Sequence, residues 1–159
     1  MSALSRKSIP PHKASQILEA AIGLPVSYVW RDAGTIFISL GALTKEARKN
    51  HPQGEFEFML TCPYRFLQSG ALVCSWHQSA AERDSFLSRL EGSTLSEIAA
   101  HLSPPSFRFS IGSIAFVSGT RGGRCHDWTV FVSEDKYSIG SSSFALYTKG
   151  QTFEAEGTF

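Results

Sequence analysis

Alternation of apolar and polar residues runs through most of this chain, and helical spacing is confined to short stretches. Thr35–Leu40 sets Ile36, Ile38 and Leu40 against Phe37 and Ser39, and Val26–Arg31 sets Val26, Tyr28 and Trp30 on one side. A period of two sends successive side chains to opposite faces of a strand. The two runs, joined at Asp32-Ala33-Gly34, therefore predict a hairpin. Glu55–Thr61 is a strand by the same rule, with Phe56, Phe58 and Leu60 opposite Glu55, Glu57 and Met59. Pro63 interrupts it, and pairing resumes as a bent edge from Tyr64 to Leu67, because proline cannot donate to a ladder. Leu72–Trp76 follows the turn at Ser69-Gly70, and Ser106–Val117 is a hairpin turning at Gly112-Ser113. Trp128–Val132, Tyr137–Ile139, Phe144–Tyr147 and Gln151–Phe153 complete the strands, with a turn at Asp135-Lys136.

Helical spacing marks Ile17, Leu18, Ala21 and Ile22, a short helix that Gly23 and Pro25 end. Ser79–Leu90 is the stronger helix. Ser79 with Glu82 forms a capping box, Phe86, Leu87 and Leu90 make a narrow apolar face, and Gly92 stops it. Thr94–Leu102 fits both periods, and the strands on its C-terminal side favour a strand. Residues 41 to 54 form a long polar connection with room for one helical turn at Lys45–Asn50, ended by His51-Pro52. Residues 1 to 12 have little to bury and read as a flexible tether. No internal repeat of fixed period stands out. The expected fold is a single α+β domain over residues 13–159, a largely antiparallel sheet with about two helices packed on one side.

Composition narrows the classes. The 159 residues carry 15 Lys and Arg against 14 Asp and Glu, a net charge of +1. That excludes a strongly basic nucleic-acid binder and global disorder. With 12 Phe and 13 Gly the chain leans to sheet and turns. No apolar run approaches the roughly 20 residues a membrane helix needs. The N-terminus has basic residues without an apolar stretch behind them, so it is not a signal peptide, and a cytoplasmic protein is expected. Three cysteines without CxxC spacing agree with a reducing compartment.

Candidate chemistry is sparse. The loop Gly119-Thr120-Arg121-Gly122-Gly123-Arg124 could hold an anion through Arg121 and Arg124, but it lacks the Lys-Ser/Thr of a phosphate loop and no helix follows. A flexible connection is its simpler role. Cys125-His126-Asp127 places three reactive types in a row, yet neighbours on a strand point apart. Cys62, Cys74, Cys125, His77 and His126 lack paired metal-ligand spacing, so neither metal nor cofactor is expected. Glu55 and Glu57 share a strand face opposite Phe56, Phe58 and Leu60 and should face water. Cys62 and Cys74 should be buried, reduced and structural. The aromatic–cation neighbours Trp30-Arg31, Tyr64-Arg65 and Trp76-His77 are of the types enriched at protein interfaces. Arg65, Trp76, His77, Arg121 and Arg124 are the candidate binding residues.

The segment from Gly54 to Arg65, an alternating strand ending in a cysteine–aromatic–arginine element, resembles a feature of small bacterial α+β domains. In those domains a helix ending Leu-x-Gly follows, matched here by Leu90-Glu91-Gly92, then a hairpin and a late strand opening on Trp, matched by Phe107–Phe116 and Trp128–Val132. The resemblance spans about residues 30 to 140 and departs at Pro63. Some such domains are immunity proteins against polymorphic toxins. The resemblance implies a non-catalytic binding protein of the bacterial cytosol, with another protein, such as a toxin, as partner. An enzyme or small-ligand binder with a pocket built from distant residues is the alternative. Nucleic-acid binding is a weaker one, because the positive excess sits in the N-terminal third.

Overall fold

The alternating runs pair into antiparallel ladders in a computed structural model, which describes residues 3–44, 47–48 (backbone only), 50–118, 128–134, 137, 139–140 and 143–159. In chain order the elements are β1 (Ser5–Ile9), α1 (Pro11–Glu19), β2 (Val26–Asp32), β3 (Thr35–Leu40), β4 (Ala47–Arg48), β5 (His51–Pro52), β6 (Phe56–Leu60) and β7 (Tyr64–Gln68). There follow β8 (Ala71–Ser75), α2 (Ala80–Ser88), β9 (Leu95–Leu102), β10 (Pro105–Ile111), β11 (Ile114–Ser118), β12 (Trp128–Val132), β13 (Phe144–Lys149) and β14 (Thr152–Gly157). The chain is thus mostly antiparallel sheet with two helices, but in two open sheets. A seven-stranded sheet runs β1-β14-β13-β12-β6-β3-β2, and a five-stranded sheet runs β8-β7-β11-β10-β9. Strands β4 and β5 form a ladder of their own, within the polar connection that had room for one helical turn.

The two sheets face each other through the apolar half of each alternation. Ile36, Ile38, Leu40, Phe58, Leu60 and Val130 come from the large sheet, and Phe66, Phe107, Phe109, Ile111 and Phe116 from the small one, all in one buried cluster. Phe58 meets Phe107 edge-on at 5.7 Å and Phe109 at 5.1 Å, and Phe107 stacks on Trp128 at 4.6 Å. Burial of such a side chain stabilises by about 1.5–3 kcal/mol. Because the sheets cover one another, the helices go to the open sides. Helix α1 packs on β9 with β14 beside it, and α2 packs on β2 with β8 beside it. The sequence expectation of both helices on one side of a sheet is thereby corrected: α1 and α2 lie against different strands of each sheet. The Ser79 hydroxyl accepts the Glu82 N–H and starts α2 as the capping signal predicts.

Other expectations change. Ser5–Ile9, expected within a tether, pairs along its whole length with β14; its side chains are mostly exposed, so the backbone ladder is what holds it. Strand β7 lies between β8 and β11 and is not an edge. Thr94–Leu102 resolves as a strand, β9. Tyr137 and Ile139 are not in a strand, while Asp135-Lys136 and the loop with Arg121, Arg124 and Cys125 lie outside the described residues.

An internal repeat is present after all. Gly23 donates to the Leu95 carbonyl and Gly92 to that of Val26, both at 2.8 Å; Val26 donates to Ser93 and Leu95 to Leu24. Exchanging 23 with 92, 24 with 93 and 26 with 95 maps this set onto itself. Pro25 and Thr94 form the bridge on the local two-fold axis. Helices α1 and α2 each have nine residues and precede these glycines, which have φ of +94° and +89°. The hairpin β2–β3 corresponds to β9–β10, and Gly41 donates to Pro25 as Gly112 does to Thr94. The repeat consists of conformation and side-chain type, with few identical residues, which is why no period stood out.

Candidate interaction face

Each sheet keeps a second face, and the repeat allows the two outer faces to be compared position by position. On the large sheet one row runs Trp30–Phe37–Met59–Thr129–Tyr147–Glu154, and the next runs Tyr28–Ser39–Glu57–Phe131–Ala145–Glu156. Tyr28 and Trp30 belong here because of a bulge between Val26 and Tyr28. The extra residue leaves Val26 opposite Leu40 in the core and turns Tyr28 and Trp30 to the other face, which corrects the single face expected for all three.

The β2–β3–β6 end of this face is closed by the chain itself, whereas a depression of about 480 Å³ stays open over Met59, Thr129, Phe131, Ala145 and Tyr147. The connection from β3 to β6 crosses the closed end. His51 lies flat on Trp30, with ring centroids 4.0 Å apart, and Trp30 lies flat on Phe37 at 4.1 Å. The Tyr28 hydroxyl is hydrogen-bonded to His51 Nδ1 at 2.6 Å. At the base of the flap the Ala42 N–H donates to the Glu55 carboxylate, and the Thr44 N–H donates to the Gln53 carbonyl, each at 2.8 Å. Gly54 passes so close to Leu40 that a Cβ would run into the Leu40 carbonyl oxygen. Beneath the flap Ser39 and Glu57 are both fully buried, with the Ser39 hydroxyl 3.3 Å from the Glu57 carboxylate. Glu57 therefore does not face water, contrary to the sequence expectation; Glu55 is half-buried and caps the flap.

The outer face of the small sheet is the counterpart, and it is open. A row crosses all five strands: Ala99–Arg108–Val117–Arg65–Ser75. The next row is Glu97–Ser110–Ala115–Leu67–Leu72. Phe37 and Ser39 of the closed face correspond to Arg108 and Ser110 here. Where the first repeat inserts the flap, the second makes a tight turn at Gly112-Ser113. Arg65, Arg108 and Glu97 are exposed, and Ala99, Ala115, Val117 and Leu67 are half-exposed. Leu72 stands 58% exposed at the β8 edge. A shallow depression of about 380 Å³ lies over Glu97, Ala99, Arg108, Ser110, Ala115 and Val117. Among the described residues neither Arg65 nor Arg108 forms an ion pair.

Of the residues expected to bind, Arg65 is on this face. Trp76 is half-buried against the core just beyond β8, with its ring 4.4 Å from that of the exposed His77. Neither stands in the two rows. Arg121 and Arg124 fall outside the described residues. Cys62 and Cys74 are both buried, and burial raises the Cys74 thiol above its ordinary value. Cys74 faces inward and His77 outward, so they do not converge on a metal. Where α2 packs on β2, Arg31 holds Asp84 through Nε at 2.8 Å. That hydrogen bond keeps the Asp84 carboxyl below its ordinary range. Sequence reasoning missed Arg108, Val117, Tyr28 and His51. The signal that finds them is the matched pattern of Ile17, Leu18, Ala21 and Gly23 with Phe86, Leu87, Leu90 and Gly92.

Among the described residues no helix is long and apolar enough to cross a membrane. No protein family, curated protein or solved structure matches this chain.

Proposed function

We propose that this protein is a non-catalytic binding module that docks another protein on the outer face of its five-stranded sheet. One observation carries the reading: the equivalent hairpin β2–β3 of the other repeat has its outer face covered by a segment of the chain itself, whereas here Val117 remains accessible between two arginines, with Ala115 and Leu67 in the row beside it. Polypeptide already sits on the matching surface in this architecture, held by flat ring contacts and a side-chain hydrogen bond. The open face is shallow and its polar groups are spread along strands, a form suited to a protein partner. The toxin partner and bacterial cytosol implied by the sequence resemblance are compatible with this surface.

The test is a photo-reactive amino acid placed at position 117, with position 88 on the exposed side of α2 as control, in the cells that make the protein. A polypeptide adduct is expected at 117 and not at 88, and Ala115→Arg should abolish it while leaving the melting temperature unchanged. No adduct at 117, or the same adducts at both positions, refutes the proposal.

A further inference from the structure

We infer that the partner segment received by this face presents acidic and apolar side chains in turn at every second residue, laying an aliphatic side chain on Val117 between two carboxylates held by Arg65 and Arg108; the inference rests on the docking reading above. Arg108, Val117 and Arg65 stand in one row on three adjacent strands. Neighbouring strands are about 4.8 Å apart, so the two arginine Cα atoms are separated by roughly 10 Å with Val117 midway. Both guanidinium groups are exposed and without an ion pair among the described residues. A guanidinium presents a rigid fork of donors that matches a carboxylate in two parallel hydrogen bonds. Ala99 and Ala115 flank the row with side chains short enough to let a second backbone approach.

The rest of the face sets limits on the ligand. Glu97 ends the second row at β9, and His101 lies opposite Ser106 beyond it. A partner's negative charge is therefore favoured over the middle strands and disfavoured at the β9 end. The opposite end, Leu67 and Leu72, is aliphatic. Single-stranded nucleic acid would need rings for its bases to stack on. The two rows hold Arg, Ala, Val, Leu, Ser and Glu and no aromatic ring, so the observations favour a peptide.

The probe is a capped peptide repeating Glu-Ser-Val-Ser, in which glutamate and valine share one face of an extended chain, titrated into the ¹⁵N-labelled full chain and followed by amide shifts; the lysine–valine control has lysine in place of each glutamate. Shifts are expected in β7, β10 and β11, weakening as salt rises. The matching lysine–valine peptide should produce none there. Arg65→Gln and Arg108→Gln should each weaken binding about tenfold or more, and the double variant should abolish it with the melting temperature intact. Absence of shifts in these strands, equal shifts from the lysine peptide, or tighter binding of a single-stranded oligonucleotide at the same strands overturns the inference. Loss of the peptide effect with the position-117 adduct retained condemns the acidic partner alone. Loss of both condemns the docking face.

Discussion

Replacing His51 with alanine should open the flap without unfolding the sheets. The side chain is hydrogen-bonded to the Tyr28 hydroxyl at 2.6 Å and lies flat on Trp30 at 4.0 Å, with the Tyr28 ring tilted against it at 5.7 Å. A hydrogen bond contributes a net of about 0.5–1.5 kcal/mol, and a stacked ring pair contributes about 0.5–1.5 kcal/mol beyond its area. Together they hold the flap by about 1–3 kcal/mol, which corresponds to a rise in the open fraction of roughly five- to more than a hundredfold. The readout is native-state hydrogen exchange at Ala42 and Thr44, whose N–H groups donate to Glu55 and Gln53 across the base of the flap. Their exchange should accelerate by that factor in His51→Ala. Amides of β3 and β6 should keep their wild-type rates, because their ladder does not pass through the flap. Acrylamide should also quench Trp30 more strongly, since its ring would lose its cover. Unchanged exchange at Ala42 and Thr44, or equal acceleration in β3 and β6, would refute the account of what closes this face.

Gly23→Ala and Gly92→Ala should cost the same, about 1–2 kcal/mol each, because both sit at strongly positive φ with open space where a Cβ would go; thermal melts giving unequal losses would sink the internal two-fold. Phe58→Ala should cost about 3–5 kcal/mol and lower the melting temperature by roughly 6–20 °C, since Phe58 touches Phe107 and Phe109 across the sheets; a loss near 1 kcal/mol would mean the sheets are not joined there. Burial raises the Cys74 thiol from its ordinary 9.0 and the Tyr64 hydroxyl from 10.0. Folded-state values above the unfolded ones mean stability that is complete below about pH 9 and lost as pH climbs through the raised values; denaturant melts should show this decline, with its earlier part missing in Cys74→Ala. Cys62 and Cys74 should react with a thiol reagent only as fast as the protein unfolds, and rapid labelling of either would contradict their burial.

Legibility in the sequence followed the range of the physics. Ile36, Ile38 and Leu40 are buried as their alternation requires, and Ser79 caps α2 as its position predicts, since both depend on neighbours in the chain. The faces of Tyr28 and Trp30 were misread because one bulge residue shifts the register, and nothing in Val26-Ser27-Tyr28 announces it. Glu57 was expected in water because its strand alternates cleanly; the segment that covers it contributes His51, which no local pattern links to Trp30. Arg65 was singled out by residue type alone, and only the register of β7 with β11 places it beside Val117 and in line with Arg108.

The reciprocal hydrogen bonds at Gly23 and Gly92 bear on how the chain reaches this fold. Each helix seals the strand of the opposite repeat, α1 on β9 and α2 on β2. Neither repeat can therefore finish its own interior. A polypeptide ending after the Ser69-Gly70 turn would leave α1 without β9, and the remainder would leave α2 without β2. The two pieces, made separately, should be poorly ordered alone and should restore the native structure when mixed. Along the intact chain the same exchange ties folding to contacts between distant residues, whose loop-closure entropy must be met before either helix is held. In its geometry the joint is that of a homodimer whose two subunits have been written into one chain. Once joined, the two hairpins no longer have to present identical outer surfaces: that of β2–β3 is covered by the chain's own flap, and that of β9–β10 stays accessible.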